Sequence, residues 1–390
     1  MENFKFNVTT NILFGKGQIA KLGKEIARKS HRVLVVYGGG SIKRNGVYDA
    51  AMEQLKANGI SAVELDGVEP NPRIQTVRKG IALCRENQLD GVLALGGGST
   101  IDCSKCIAAG AMYDGDPWDF MTGKARAQKA LPIFTVLTIA ATGSEMDAVA
   151  VISNPDTNEK LSFSGRCILP TCSVMDPTYT FTLPAKQTAA GTADIMSHTF
   201  ENYFSRIEDA YLADQVAESI LRTCIQCGPQ AIAHPDDYAA RANLMWCSSW
   251  AINGFLDAGK PVAWSVHKIE HELSAFYDIT HGVGLAILTP NWMTYVLSDK
   301  TEHRFAQYGV RVWGLDASLP QRELAETAIR KTREFFNSMG LPATLHEVGI
   351  GEENLEKMAE KAWRPMFNAF ISATKVSIDQ NSSYIYSISF

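Results

Sequence analysis

The stretch Asp90-Gly-Val-Leu-Ala-Leu-Gly96-Gly97-Gly98-Ser99 decides the fold. In it a short apolar run ends in three glycines, and a helical segment follows them. Runs of this length and composition are typical of strands buried on both faces of a parallel sheet. The same order occurs earlier, where Arg32-Val-Leu-Val-Val-Tyr37 precedes Gly38-Gly39-Gly40-Ser41. Strand, glycines and helix in repetition predict a Rossmann-like α/β domain with a parallel sheet.

The glycine-rich turns predict nucleotide binding. Without a Cβ atom, a glycine lets backbone N–H groups approach a pyrophosphate, and the N-terminus of the following helix favours its negative charge. Neither turn matches the G-x-G-x-x-G fingerprint, and a single turn of this kind is often only a tight turn. The candidate cofactor-binding residues here are Gly38, Gly39, Gly40, Ser41, Gly97, Gly98, Ser99 and Asp102.

Further candidates lie in later turns. Pro132–Thr138 reads as a strand, and a hydroxyl-rich turn follows it. Its polar side chains could donate to phosphate or ribose oxygens, or form an ordinary polar turn. A hairpin expected around Asn154-Pro155 carries a lysine that could supply a cation, although a single exposed lysine often has no specific role. These candidates are Thr138, Thr142, Ser144, Lys160 and, in the turn Glu69–Pro72, Asn71.

The apolar pattern changes near Leu183-Pro184. Upstream it has strand length and β-branched residues; downstream it is long, Ala-rich and helical, with amphipathic helices predicted at Asp209–Thr223, Tyr238–Asn253, Pro320–Met339 and Glu352–Ala362. We therefore predict an α/β domain at 1–184 and an all-helical domain at 185–390.

Two segments of the helical part predict a metal site. Asp194 and His198 are four residues apart, which places both side chains on one face of a helix. The later segment Trp264–Gly282 contains His267, His271 and His281. We predict that Asp194, His198, His267 and His281 bind one divalent metal; the alternative is four unrelated core or surface residues.

The eight cysteines leave one further alternative open. Cys103/Cys106 and Cys224/Cys227 have Cys-x-x-Cys spacing, which could indicate a structural zinc. Both pairs lie in runs that read as helix, without the Gly/Pro turns of a zinc knuckle. Small buried side chains are the favoured interpretation.

Composition excludes some partners. The 390 residues are 46% hydrophobic and 20% charged, with a net charge of −5 and no basic run, so a nucleic-acid partner is not expected. No apolar stretch reaches the roughly 20 residues that span a membrane, and the N-terminus lacks the apolar core of a signal peptide. A cytoplasmic protein acting on a small molecule is expected.

Taken together, these motifs resemble the iron-containing, or group III, alcohol dehydrogenase family. Asp194-x3-His198 with His267-x3-His271-x9-His281-Gly282 is similar to that family's signature. Gly96-Gly-Gly-Ser-x-x-Asp102-x-x-Lys105, Thr142-Gly-Ser-Glu145 and Asp176-Pro177 also look like its nucleotide-side motifs. The resemblance runs from about Phe14 through Gly340, and is nearest to the NADPH-dependent butanol dehydrogenase and aldehyde reductase branch. The tail Lys375–Phe390 departs from the family's usual closing helix.

The resemblance implies a dehydroquinate synthase-like fold, with an α/β domain, an all-helical domain and often a homodimer. It implies the same four metal ligands, and it matches His271 to a family histidine near the nicotinamide. A proton-shuttle role for His271 is therefore a hypothesis, and a hydrogen-bonded core histidine is the alternative. Three imidazoles and one carboxylate suit Fe²⁺ or Zn²⁺.

The cofactor expected is NADP(H). A carboxylate beyond the first strand would bind a ribose 2′-hydroxyl and repel a 2′-phosphate. Here Gly38–Ser41 takes that place, with Lys43 and Arg44 next. The two cations could alternatively be only a solvated helix start.

The expected reaction is reversible reduction of an aldehyde such as butyraldehyde to its primary alcohol. Three alternatives stay open: a polyol dehydrogenase of the glycerol or diol type, a dehydroquinate synthase-like lyase on the same scaffold, and a non-catalytic nucleotide-binding protein. A polyhydroxylated, phosphorylated substrate would call for several lysines or arginines near the metal, and these segments contain few besides Lys268.

Overall fold

The computed structural model describes residues 1–362 of the chain. The unusual tail Lys375–Phe390 lies outside the described residues. Contacts divide the chain into two units, one of which joins Phe6–Pro184 with Ala233–Gly254. The other joins Met1–Lys5 with Ala185–Ile232 and, among the described residues, 255–362.

The first unit alternates strands and helices. In chain order its elements are β1 (Asn11–Phe14), α1 (Leu22–Ala27), β2 (Arg32–Tyr37), α2 (Ser41–Arg44), α3 (Val47–Ala57), β3 (Ser61–Leu65), α4 (Ile74–Glu86), β4 (Gly91–Gly96), α5 (Gly98–Ala111), α6 (Trp118–Met121), β5 (Ile133–Leu137), β6 (Val149–Asn154), β7 (Glu159–Ser164) and β8 (Cys172–Met175).

Within the described residues, six strands form one sheet in the order β1-β8-β5-β4-β2-β3. All of its neighbouring strands are parallel, which confirms the predicted parallel α/β architecture. The strands β6 and β7 form a separate antiparallel hairpin, as expected around Asn154-Pro155. Because every strand of the sheet runs the same way, the glycine-rich turns after β2 and β4 lie at one edge.

The central strands are buried on both faces, and side chains alternate between two cores. Leu34 and Val36 of β2 belong to a core with α4 and α5. Val33 and Val35 of the same strand face a core that includes residues of α1 and α3. This packing explains why these strands are continuous apolar runs rather than alternating ones.

Long helices follow Pro184: α7 (Ala185–Tyr203), α8 (Tyr211–Ala233), α9 (Tyr238–Trp250), α10 (Ser265–Tyr277), α11 (His281–Val296), α12 (Glu302–Trp313) and α13 (Gln321–Ser338). Residues 355–362 are also helical. None of the described helices is both long and apolar enough to cross a lipid bilayer. The four cysteines of the Cys-x-x-Cys pairs are buried in α5 and α8.

The helix α9 belongs by its contacts to the sheet unit. Ser249 of α9 donates to the Glu145 carboxylate, and Trp246 packs edge-on against Phe14, with ring centroids 5.7 Å apart. The sequence division at 1–184 and 185–390 stays a prediction, and these contacts favour a different placement for this one helix.

Candidate active site

Three histidine rings of the helical unit converge on one carboxylate oxygen of Asp194. Asp194 and His198 lie one turn apart on α7, and Nδ1 of His198 is 3.4 Å from Oδ1 of Asp194. Nε2 of His267, near the start of α10, is 3.9 Å from the same oxygen. Nε2 of His281, the first residue of α11, is 3.8 Å from it. The structure thus brings together the four residues that the sequence predicted as metal ligands.

The chemistry of this cluster fits a divalent cation. His198 and His267 are buried, and Nδ1 of His198 and Nε2 of His267 make no hydrogen bond. Buried polar atoms without partners are rare in proteins. Burial, together with His267 and His281, lowers the pKa of His198 well below its ordinary value. The ring is therefore neutral, and neutral imidazole is the form that binds metal ions.

Glu201 fixes the orientation of His267. It lies on α7 and accepts hydrogen bonds from the backbone N–H groups of Val266 and His267, at 2.7 and 3.0 Å. The same carboxylate oxygen is 3.3 Å from Nδ1 of His267. One carboxylate therefore binds the N-terminus of α10 and the ring nitrogen that points away from Asp194, an arrangement common behind metal-binding histidines.

Glu270 fixes the orientation of His281 in the same way. Its carboxylate contacts Nδ1 of His281 and accepts a hydrogen bond from the Ser274 hydroxyl. Glu270 is fully buried. Neither Glu201 nor Glu270 was among the residues predicted from the sequence. Glu201 had a usable signal, because it is three residues after His198 on the same helix.

A close approach of two helices places His281. A Cβ atom on Gly282 would lie 2.1 Å from the carbonyl oxygen of Ala190. Only a glycine lets α11 come this near to α7, so Gly282 is part of what brings His281 to Asp194.

His271 lies beside the cluster, one helical turn after His267 on α10. Its ring centroid is 5.7 Å from that of His281. Glu270, His271 and His281 offer ligand atoms within 4.8 Å of one another, as do Asp194, His267 and His281. The geometry places His271 next to the predicted ligands, and its role as a proton shuttle stays a prediction.

In the sheet unit, the turns after β4 and β5 interlock. The Thr138 N–H donates to the Gly96 carbonyl at 3.1 Å. A Cβ atom on Gly98 would lie 2.4 Å from the Thr142 hydroxyl oxygen. The β4 turn therefore needs a glycine at this point, where α5 begins.

Asp102 and Ser144 are joined by a hydrogen bond between their side chains. The Ser144 hydroxyl donates to one oxygen of Asp102 at 2.5 Å, and the Val151 N–H donates to the other at 3.0 Å. Burial raises the pKa of Asp102 to about 6. Both side chains brace the turn, and contact with a nucleotide stays a prediction for them.

Other sheet-unit candidates differ in exposure. Lys160 was expected as an exposed lysine, but it is 5% exposed on β7. Asn71 is buried and has a left-handed backbone, with φ +52°. Ser41 and Lys43 are exposed on α2, and Ser99 is partly exposed on α5. Their assignment to a cofactor stays a prediction.

The sequence did not predict one buried ion pair. Lys105 of α5 binds Asp147 at 2.6 Å and the Val149 carbonyl at 2.8 Å. Lys105 belongs to the motif that begins at Gly96, but its partner Asp147 lies 42 residues away in the sequence. Only the folded chain shows that the two side chains meet.

Comparison with known proteins finds the same family in both halves of the chain. The family description "Iron-containing alcohol dehydrogenase" matches residues 9–177, and "Fe-containing alcohol dehydrogenase family, C-terminal" matches residues 188–382. The chain belongs to the iron-containing alcohol dehydrogenase family.

Relatives within the family are similar over nearly their full length. The chain is 61% identical to NADH-dependent butanol dehydrogenase A of Clostridium acetobutylicum, over 93% of this chain and 94% of that one. It is 40% identical to the NADPH-dependent aldehyde reductase YqhD of Escherichia coli, over 93% of each.

A solved structure supports the fold. The crystal structure of NADH-dependent butanol dehydrogenase A from Thermotoga maritima has a TM-score of 0.94 and 39% identity, and the match covers 100% of this chain and 99% of that one. The dehydroquinate synthase-like fold implied by the sequence is therefore confirmed.

Proposed function

We propose that this protein is a metal-dependent alcohol dehydrogenase that transfers hydride between NADP(H) and a primary alcohol or its aldehyde. Membership of the family supports an alcohol-oxidising or aldehyde-reducing enzyme. The observation that carries the metal-dependent mechanism is the approach of His198, His267 and His281 to one carboxylate oxygen of Asp194.

These four residues would hold the cation, either Fe²⁺ or Zn²⁺. A cation at this position would act as a Lewis acid that polarises the substrate carbonyl, and a bound dinucleotide would supply or accept the hydride. Glu201 and Glu270 keep His267 and His281 oriented for binding. His271, whose ring centroid is 5.7 Å from that of His281, would pass a proton to or from the substrate oxygen.

The choice of NADP(H) is the finer part of the proposal. Similar proteins differ in their named cofactor, which is NADH for the Clostridium enzyme and NADPH for the Escherichia coli reductase. Gly38–Ser41 follows β2 in place of a carboxylate, and Lys43 lies on the short helix beyond it. An exposed cation and bare backbone favour a 2′-phosphate over a free ribose hydroxyl.

Butanol and butyraldehyde are the proposed substrate pair, because relatives at 61% and 57% identity are named butanol dehydrogenases. A diol is the second candidate. The 1,3-propanediol dehydrogenase of Klebsiella pneumoniae is 30% identical over 95% of this chain. We further propose a homodimer in the cytoplasm.

The test is an NADPH-oxidation assay with aldehydes from acetaldehyde to octanal, and with 3-hydroxypropanal for the diol candidate. Turnover that peaks near butyraldehyde supports the proposal. No oxidation with any of these aldehydes would contradict it, and a clear preference for 3-hydroxypropanal would favour the diol alternative.

The His271→Ala variant tests the division of roles within the site. We expect turnover to fall by roughly 10²-fold or more, the usual loss for a general acid–base group, with bound metal unchanged. His267→Ala is the matched control on the same helix and should lose the metal. Loss of metal from His271→Ala would refute a proton-transfer role.

A further inference from the structure

Lys43 lies over two tyrosine rings at the carboxyl end of β2. Its ammonium nitrogen is 4.9 Å from the ring centroid of Tyr37 and 4.8 Å from that of Tyr48. Tyr37 is the last residue of β2, and Tyr48 lies at the start of α3. The two rings meet edge to face, with centroids 5.8 Å apart.

Glu64 of the neighbouring strand β3 fixes both rings. The Tyr37 hydroxyl donates to one carboxylate oxygen at 2.6 Å, and the Tyr48 hydroxyl donates to the other at 2.8 Å. Both hydrogen bonds lower the pKa of Glu64. The carboxylate is therefore ionised and hydrogen-bonded to both tyrosines. We call the group of four residues the Lys43 cage: Tyr37, Lys43, Tyr48 and Glu64.

The cage restrains a side chain that would otherwise be mobile. The long side chain of an exposed lysine has a large rotamer entropy, and binding a phosphate must overcome its loss. The aromatic faces attract the ammonium through their quadrupoles, which leaves some of its three N–H donors for a ligand. A side-chain hydrogen bond with Tyr37 raises the pKa of Lys43, which shows that the cage stabilises the charged form.

We infer that Tyr37, Tyr48 and Glu64 position Lys43 as the cation that recognises the 2′-phosphate of NADP(H). This inference rests on the proposed function. The tyrosines and Glu64 are positioning residues, and of the four cage residues only Lys43 contacts the 2′-phosphate. Arg44, the next residue, is also exposed on α2 but lies outside the cage.

The test measures binding rather than turnover. NADPH and NADH differ only in the 2′-phosphate, and their fluorescence on binding gives two dissociation constants for each variant. For Lys43→Ala we expect NADPH to bind roughly tenfold more weakly, the range for a hydrogen bond to a charged group, with NADH unchanged. For Tyr48→Leu we expect a loss of about threefold, again for NADPH alone, the range for an exposed cation–π contact.

Arg44→Ala is the matched control, because it removes a neighbouring exposed cation without touching the cage. Arg44→Ala should weaken the binding of NADPH less than Lys43→Ala does. Equal effects of Tyr48→Leu on both dinucleotides, or no effect on either, would overturn the cage while leaving the proposed reaction intact. A wild-type protein that binds NADH more tightly than NADPH would overturn the cofactor proposal together with the cage.

Discussion

At the scale of single residues, Glu145 is a carboxyl group held away from water. It is fully buried, and Ser249 donates to one of its oxygens while the other has no hydrogen-bond partner. Burial first, and the nearby Asp147 second, raise its pKa to about 7, although the Ser249 hydrogen bond and Lys105 act in the opposite direction. The folded protein therefore holds a proton on Glu145 at pH values where the unfolded chain has lost it.

This residue predicts a pH dependence of stability. The ordinary pKa of Glu145 is 4.5 and the folded value is about 7, so between these values the native state binds more protons than the unfolded state. The free energy of unfolding then falls as pH rises through this window, by an amount on the order of 1–3 kcal/mol. Urea unfolding from about pH 5 to pH 8 should show a steeper decline for the wild type than for Glu145→Gln. Parallel curves would contradict this account.

Residue spacing predicted part of the proposed metal site but not the carboxylates behind it. Asp194 and His198 share a helix, so their proximity follows from four-residue spacing. Glu270 and His281 lie on different helices, and only the turn between α10 and α11 brings them together. The Asp147–Lys105 pair was hidden for the same reason, because sequence reasoning has no measure of distance across a fold.

At the scale of elements, the approach of α11 to α7 limits what position 282 can hold. The Gly282→Ala variant would place a methyl carbon 2.1 Å from the Ala190 carbonyl oxygen, so one helix must move. We expect a loss of roughly 1–3 kcal/mol in stability, the usual cost of overpacking, together with weaker metal binding as His281 moves.

Thermal unfolding and metal titration would measure both effects. Gly39→Ala is the control, because a Cβ atom there meets nothing within 4 Å. If Gly282→Ala bound metal as tightly as the wild type, the close approach would not be what places His281.

Strands were easier to predict than some helices. The strands β2, β4 and β5 are short apolar runs bounded by turns, and this pattern is sufficient to predict them as buried strands. The helix α11 is buried along most of its length and contains Pro290, so it has no polar stripe for periodicity to detect. The helix α9 was predicted as a helix, but an amphipathic pattern does not identify the partner of its apolar face.

At the scale of the whole molecule, the predicted cation would join α7, α10 and α11 of the helical unit. These helices already pack through Gly282 and through the contact of Glu201 with the start of α10. Family membership and fold followed from motifs spread along the chain, because their combination is far more specific than any one turn. Cofactor preference could not be decided in the same way, because relatives named for NADH and for NADPH are both similar to this chain over nearly its full length.

The most direct test of the central claim is the metal content of the purified protein, measured together with NADPH-dependent reduction of butyraldehyde before and after chelation. We predict one divalent cation per chain, loss of activity as the cation is removed, and recovery when Fe²⁺ or Zn²⁺ is returned. Asp194→Ala and His267→Ala should lack both the cation and the activity. Full activity in protein stripped of all metal would contradict the account.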